Sequence, residues 1–182
     1  PNQSAHYDYA MLVFGGRAAP SLAFNEMHVL DISLPSEDEF GELRWRSIGD
    51  SAKLDIHLDA VKTNNTSQTV GHSNSLLPFP RWRHTLTNVN DTLCFLYGGK
   101  ISPIDCTSQF AIFDCTTMQW VYISTDTIDD PCQPVARHSH ATCALNDGEH
   151  VCMVGGFSAK TNTYLNDGWI FNVNSKQWTK KF

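Results

Sequence analysis

The stretch that decides the fold runs from Arg81 to Trp120 and reads RWRHTLTNVNDTLCFLYGGKISPIDCTSQFAIFDCTTMQW. It opens with an Arg-x-x-His motif, and apolar runs follow at residues 93–97 and 110–113. Each run is too short for a helix and is rich in aromatic residues, which is typical of β-strands. A Gly-Gly pair ends the first run, and Trp120 begins a further strand-like segment. The stretch therefore predicts four short strands in succession.

The same order of features recurs along the chain. Between the second and third copies the interval is 56 residues for the histidine, 57 for the first glycine and 58 for the tryptophan. Three markers at nearly one period indicate an internal repeat. The repeated positions are Gly15, Gly16 and Trp45 in the first copy, Arg81, His84, Gly98, Gly99 and Trp120 in the second, and Arg137, His140, Gly155, Gly156 and Trp178 in the third.

These repeated residues are predicted to be structural. A glycine pair suits a strand end where backbones approach closely or φ turns positive. A tryptophan at the start of the fourth strand supplies a large apolar surface for packing between neighbouring sheets. We therefore expect the repeated residues to hold the fold together and to say little about a ligand.

The order of Arg-x-x-His, Gly-Gly strand, third strand and Trp strand resembles the kelch repeat. The resemblance implies an all-β, kelch-type β-propeller, whose blades are four-stranded sheets. The chain holds about three blades, fewer than a closed ring needs, so we expect a fragment of a larger propeller; closure by a second chain is the alternative. The predicted organisation is a partial blade at 1–50, an irregular insertion at 51–80, a blade at 81–123, a linker loop at 124–136 and a blade at 137–182.

A narrower resemblance rests on four segments taken in order: RWRHT at 81–85, FLYGGK at 95–100, TMQWV at 117–121 and ARHSHA at 136–141. With FGGRAAP at 14–20, they resemble the propeller part of tRNA wybutosine-synthesising methyltransferases, relatives of the leucine carboxyl methyltransferases. The resemblance implies a parent protein that uses S-adenosylmethionine to modify the wybutosine base beside the anticodon of phenylalanine tRNA. Its implied partners are the remaining blades, a methyltransferase domain of the same protein and that tRNA.

No catalytic residue is carried over from this resemblance. The chain shows neither a Gly-rich loop between a strand and a helix nor α/β alternation, so we expect no cofactor in the chain itself. The alternative function is a kelch protein-interaction module with no enzymatic role. A metal-containing kelch enzyme is disfavoured, because no Tyr, His and Cys constellation can be assembled.

Four residues are the candidate binding residues. Arg17 and Lys100 immediately follow their glycine pairs, and Phe157 takes the same place in the third copy. Loops there open at one end of a propeller, where cations beside an aromatic ring suit phosphate binding or base stacking. Arg83 is a similar candidate, and the structural alternative is an exposed loop charge paired with a nearby acid.

Composition limits the other possibilities. The net charge of −6 argues against broad electrostatic attraction to nucleic acid or to a membrane. No apolar run approaches the roughly 18 residues of a membrane helix, so no membrane partner is expected. Six cysteines without a C-x-x-C pair predict reduced thiols in a cytoplasmic protein. His138, His140 and Cys143 form H-x-H-x-x-C, but no further ligand has a convincing spacing, and we predict no metal site.

Overall fold

A computed structural model describes residues 8–34, 41–48, 77–125 and 130–182 of the chain. Every regular element within these ranges is a β-strand. A helix with the length and apolar character needed to cross a membrane is not found among them. Most of the predicted insertion at 51–80 and part of the predicted linker at 124–136 lie outside the described residues.

Three antiparallel sheets follow one another along the chain, and we call them the first, second and third blades. The first blade orders β1 (Tyr9–Phe14), β4 (Met27–Ile32) and β5 (Leu43–Ile48). The second orders β6 (Thr85–Asn88), β7 (Leu93–Tyr97), β8 (Phe110–Asp114) and β9 (Gln119–Ile123). The third orders β10 (Ala141–Ala144), β11 (His150–Val154), β14 (Gly168–Asn172) and β15 (Gln177–Lys180). The predicted all-β partial propeller is confirmed.

Two small ribbons extend from the glycine-pair ends of the blades. One pairs β2 (Arg17–Ala19) with β3 (Leu22–Ala23), and the other pairs β12 (Phe157–Ser158) with β13 (Thr163–Tyr164). Both begin directly after a Gly-Gly pair. They therefore place the predicted binding residues Arg17 and Phe157 on regular backbone.

The second blade is covered on both faces, which explains the continuous apolar run of β7. Alternate residues of a strand point to opposite faces. Cys94 and Leu96 belong to the core shared with the first blade, and Phe95 and Tyr97 to the core shared with the third. Burial on both sides removes the apolar–polar alternation expected of a half-exposed strand.

The repeated tryptophans differ in how far they are covered. Trp120 is 1% exposed, and its ring centroid lies 5.1 Å from that of Phe14 in the first blade. Trp178 packs edge-on against Tyr97 of the second blade, with ring centroids 5.2 Å apart. Trp45 is 58% exposed, in contrast to the packing between sheets predicted for this position. The reason is that no other described sheet lies on that face of the first blade.

Asp31, Asp114 and Asn172 occupy equivalent positions in the three copies of the repeat but have different hydrogen-bond partners. Asp114 and Asn172 accept hydrogen bonds from the backbone N–H groups two and three residues further on, which is the geometry of turn-capping side chains. Asp31 instead binds Arg46 on β5, with Nε–Oδ2 and Nη2–Oδ1 distances of 2.7 and 3.2 Å. It lies inside β4, which continues to Ile32, and so it faces a neighbouring strand rather than a turn.

Candidate binding surface at the glycine-pair ends of the blades

The arginine of each Arg-x-x-His motif is fully buried and binds the glycine pair of its own blade. Arg137 donates from Nη1 to the Gly155 carbonyl at 3.0 Å and forms a two-pronged ion pair with Asp167 at 2.6 and 2.7 Å. Arg81 donates to the Gly98 carbonyl at 3.0 Å and to the side chain of Gln109. Burial raises the pKa of Asp167, but hydrogen bonds from Arg137 and Trp169 outweigh it, so this pKa lies below its usual range.

The histidine of each motif lies between the glycine pairs of two neighbouring blades. A Cβ atom placed on Gly98 would lie 3.0 Å from Cε1 of His140. A Cβ atom placed on Gly156 would lie 2.9 Å from the Cβ of His140. The Nε2 atom of His140 makes a hydrogen bond of 2.8 Å with Thr85 Oγ1 of the second blade. A side chain larger than hydrogen at either glycine would displace the ring.

Burial keeps these two histidines neutral. It lowers the pKa of His84 to about 4, with a further contribution from the charge of Arg81. It lowers the pKa of His140 to about 3, with a further contribution from Arg137. Because both values lie far below neutral pH, neither imidazole is suited to proton transfer near pH 7.

Beside these joints, the residues after the first two glycine pairs lie near an aromatic ring of the next blade. The Arg17 guanidinium carbon lies 5.0 Å from the ring centroid of Trp82, within the range of a cation–π contact. Lys100 lies close enough to His138 for its charge to contribute to lowering the pKa of that ring, after the larger effect of burial. Trp82 and His138 occupy the same place in their motifs, directly after the buried arginine. Arg17 is therefore in cation–π contact with Trp82 at the first boundary, and Lys100 takes the equivalent position near His138 at the second.

Backbone pairing fixes these side chains in position. Trp82 exchanges two hydrogen bonds with Lys100, of 3.1 and 2.7 Å. His138 exchanges two with Phe157, of 3.0 and 2.9 Å, and their ring centroids are 5.4 Å apart. The Lys100 ammonium also donates to the carbonyl of Pro103 at 2.6 Å.

Arg83 completes the group from the middle of the second blade's motif. It has a φ of +57° and accepts a hydrogen bond of 3.0 Å at its carbonyl from the N–H of Ser139, whose φ is +56°. The side chain of Arg83 is exposed, and its charge contributes to the lowered pKa of His138. We call Arg17, Trp82, Arg83, Lys100, His138 and Phe157 the glycine-pair surface, in which Trp82 and His138 are only 6% and 7% exposed.

The structure thus brings three predicted binding residues, Arg83, Lys100 and Phe157, around His138. It places Arg17 on Trp82 at the neighbouring boundary. Trp82 and His138 were not among the predicted binding residues, although both carry a ring at one position of the repeated motif. That shared position was the signal that could have identified them.

The H-x-H-x-x-C segment does not gather its three side chains. His140 is buried against the glycine pairs, whereas Cys143 is exposed on β10 and donates from its thiol to the Ala144 carbonyl at 3.2 Å. Among the described residues, the only group of three or more His, Cys, Asp or Glu donors within 4.8 Å of one another is Asp147, Glu149 and His150, in the exposed β10–β11 turn.

Successive antiparallel sheets, two of them four-stranded, are joined through a repeated Arg-x-x-His motif and define a β-propeller of kelch type. The chain belongs to the kelch-repeat family, because the KLHDC2/KLHL20/DRC7 Kelch-repeats domain matches residues 2–181. Membership of this family supports a role in protein interaction.

The chain is also similar to individual kelch proteins. It is 28% identical over 130 residues to tRNA wybutosine-synthesizing protein 4 of Saccharomyces cerevisiae, covering 69% of this chain and 17% of that protein. It is 30% identical over 111 residues to Kelch domain-containing protein 3 of Rattus norvegicus, covering 55% of this chain and 27% of that protein. The matches therefore span about a quarter or less of these relatives.

A solved structure, that of YjhT, is similar in fold. The superposition has a TM-score of 0.53 at 13% sequence identity and covers 95% of this chain and 42% of that chain. At this identity the similarity concerns the fold alone.

Proposed function

We propose that this chain is the propeller part of a cytoplasmic tRNA-modifying protein that acts in wybutosine synthesis, and that its glycine-pair surface contacts phenylalanine tRNA. The observation that carries the proposal is the repeated placement of a cation, Arg17 or Lys100, directly after a glycine pair and near a ring of the next blade's motif. The five-segment resemblance and the similarity to the yeast protein of wybutosine synthesis support the choice of tRNA.

The chemistry of this surface suits single-stranded or looped RNA. Guanidinium and ammonium groups neutralise phosphates, and the half-buried ring of Phe157 can accept an unstacked base. Because the whole chain carries a net charge of −6, attraction to RNA has to be local. The three cations of the surface, Arg17, Arg83 and Lys100, provide such a local positive region.

In this proposal catalysis belongs to another domain. The described residues form sheets and ribbons only, without the strand, Gly-rich loop and helix that bind S-adenosylmethionine in a methyltransferase. The cofactor and the transfer chemistry are therefore assigned to a methyltransferase domain outside this chain. The propeller segment binds and orients the tRNA.

The proposal is tested with the full-length protein carrying Arg17→Glu and Lys100→Glu together. We expect its affinity for phenylalanine tRNA to fall by about tenfold or more at 0.1 M salt, and the salt dependence of binding to become shallower. The matched control is Arg44→Glu with Lys176→Glu, which makes the same charge change at the opposite ends of the blades. This control should keep the affinity of the unmutated protein for phenylalanine tRNA. Unchanged tRNA binding and modification by the first variant would overturn the proposal.

A second candidate function, a protein-interaction module, is favoured by the kelch family match and by one feature of the surface. Tyr164 is 88% exposed, and its ring centroid lies 5.1 Å from that of Phe157. Tyrosine and arginine are frequent at the energetic centres of protein interfaces. A protein partner should stay bound in moderate salt and be lost with Tyr164→Ala, whereas tRNA binding should fall steeply as salt rises.

A further inference from the structure

Two cysteine sulfurs are in contact at the boundary of the first and second blades. The Sγ atoms of Cys94 and Cys115 are 3.5 Å apart. Cys94 lies on β7, and Cys115 is the first residue after β8, where the chain turns. A disulfide bond is about 2.05 Å long, so the sulfurs need to approach by roughly 1.5 Å. Because the backbone N–H of Cys115 donates to the Thr92 carbonyl at 2.7 Å, the approach has to come from rotation of the two side chains and a small shift at the turn.

An open cleft gives small molecules access to both sulfurs. It lies between β1 of the first blade and the second blade and has a volume of about 410 Å³. Its lining includes Leu12, Leu86 and Met118 together with both cysteines. Since a water molecule occupies about 30 Å³ in the liquid, a molecule as small as hydrogen peroxide fits this space.

The two thiols are not equivalent. Cys94 is buried, whereas Cys115 is half-buried and lies at the turn. The hydrogen bond from the Cys94 thiol lowers the pKa of Cys115, and the same bond together with burial raises the pKa of Cys94. Cys115 is thus the more acidic thiol of the pair, although burial and the charge of Asp114 act against this lowering.

We propose that Cys94 and Cys115 form a thiol-modification site for hydrogen peroxide, with Cys115 as the reacting cysteine and Cys94 as the resolving one. The Cys115 thiolate attacks one peroxide oxygen, the O–O bond breaks, and the leaving hydroxide takes a proton from solvent to become water. The Cys94 sulfur then attacks the resulting sulfenic acid, the S–O bond breaks, and a second water departs. Two thiols and one peroxide give one disulfide and two waters, so the sulfurs lose two electrons and the peroxide gains them. This inference does not depend on the proposed function.

The test treats the full-length protein with equimolar hydrogen peroxide, blocks the remaining thiols with N-ethylmaleimide and maps the peptides by mass spectrometry. We expect two of the six thiols of this chain to be lost to alkylation and a Cys94–Cys115 cross-link that dithiothreitol reverses. Cys94→Ser should stop at a sulfenic acid on Cys115 that dimedone traps, and Cys115→Ser should leave Cys94 unoxidised. Cys143→Ser, which removes an exposed thiol, is the matched control and should keep the cross-link.

Two results would overturn the proposal. One is oxidation of exposed Cys132 and Cys143 without a Cys94–Cys115 cross-link. The other is dimedone labelling of Cys94 rather than Cys115 when the partner is serine. Circular dichroism identifies a serine variant that fails to fold. In that event the presence or absence of the Cys94–Cys115 cross-link in the unmutated protein still tests the proposal.

Discussion

The carbonyl oxygen of Arg137 accepts a hydrogen bond of 2.8 Å from the backbone N–H of Gly99 in the preceding blade. The carbonyl of Arg81 accepts an equivalent bond of 2.8 Å from Gly16. Each Arg-x-x-His motif thus binds two blades at once, its own through the guanidinium and the preceding one through the main chain. The repeat observed in the sequence is therefore also the joint between sheets.

The first prediction concerns Gly98, which has a φ of +62° and whose added Cβ would lie 2.6 Å from the Arg137 carbonyl. Gly98→Ala should lower the free energy of unfolding by about 3 kcal/mol, because a positive φ and a clash between blades add together. Urea unfolding measures the effect. The control is Gly148→Ala, because Gly148 also has a positive φ, +73°, but an added Cβ would lie 3.8 Å from its nearest neighbour, the Cβ of Asn90. This variant should lose only about 1 kcal/mol of unfolding free energy. Equal losses in the two variants would contradict the blade-joint interpretation.

The second prediction concerns pH and the buried histidines. Their folded-state pKa values of about 4 for His84 and about 3 for His140 lie below the ordinary value of 6.5, so the unfolded chain takes up protons first. Their contribution to stability is complete above about pH 6.5 and declines as the pH falls towards 4, by at most about 1.4 kcal/mol per pH unit for each histidine. Unfolding free energies between pH 7.5 and 4.5 measure this slope.

His140→Gln should remove about half of that slope between pH 6 and 4.5, whatever its effect on absolute stability. His28→Gln alters a more exposed histidine on β4 and serves as the control. A slope that is the same in the unmutated protein and in the His140 variant would contradict the assignment.

The third prediction concerns the ion pair of Arg137 with Asp167. Asp167→Ala should lower stability by about 3 kcal/mol at pH 7, because it leaves a buried guanidinium without its carboxylate. Asp91→Ala removes an exposed carboxylate in the β6–β7 turn and should cost less than about 0.5 kcal/mol. Thermal unfolding of both variants provides the comparison.

This ion pair also has a pH dependence of known sign. The folded-state pKa of Asp167 is depressed. Its contribution to the free energy of unfolding is therefore complete above the unfolded-state pKa of about 3.9, and it is lost as the pH falls below that value towards the folded-state pKa. Between pH 7 and 5 the difference between Asp167→Ala and the unmutated protein should therefore stay constant. A difference that shrinks in that interval would argue against a depressed pKa.

The fourth prediction compares two tryptophans of the repeat in the 182-residue chain. Trp120→Ala should cost about 3–5 kcal/mol, since it empties a site in the core between the first and second blades. Trp45→Ala should cost less than about 1 kcal/mol, because that ring is 58% exposed. Chemical unfolding measures both losses. If Trp45→Ala costs as much as Trp120→Ala, another element covers the outer face of the first blade.

Much of the fold could be predicted from local sequence. Gly98 and Gly99 mark the end of β7 because few other residues tolerate their backbone angles, and the aromatic run before them is typical of a strand covered on both sides. The period then identifies equivalent strands in the neighbouring blade. The exposure of Trp45 could not be predicted in this way, because it depends on whether another sheet lies beside the first blade.

The candidate site was predicted in part. Arg17, Lys100 and Phe157 were selected because they share one position after the glycine pairs. Their aromatic partners, Trp82 and His138, lie in the next blade or the next motif, and a pairing between blades has no local signal. The contact of Cys94 with Cys115 is of the same kind, because the two cysteines are 21 positions apart and a loop and a strand have to fold before the sulfurs meet.

The sequence by itself determined the class of structure and the order of its strands, because glycine, tryptophan and short apolar runs act on the backbone within a few residues of their own position. Only the tertiary structure decided which side chains meet across blade boundaries. Those contacts depend on how one sheet is rotated and seated on the next, and this arrangement is set by the packing of both sheet faces together rather than by any one segment.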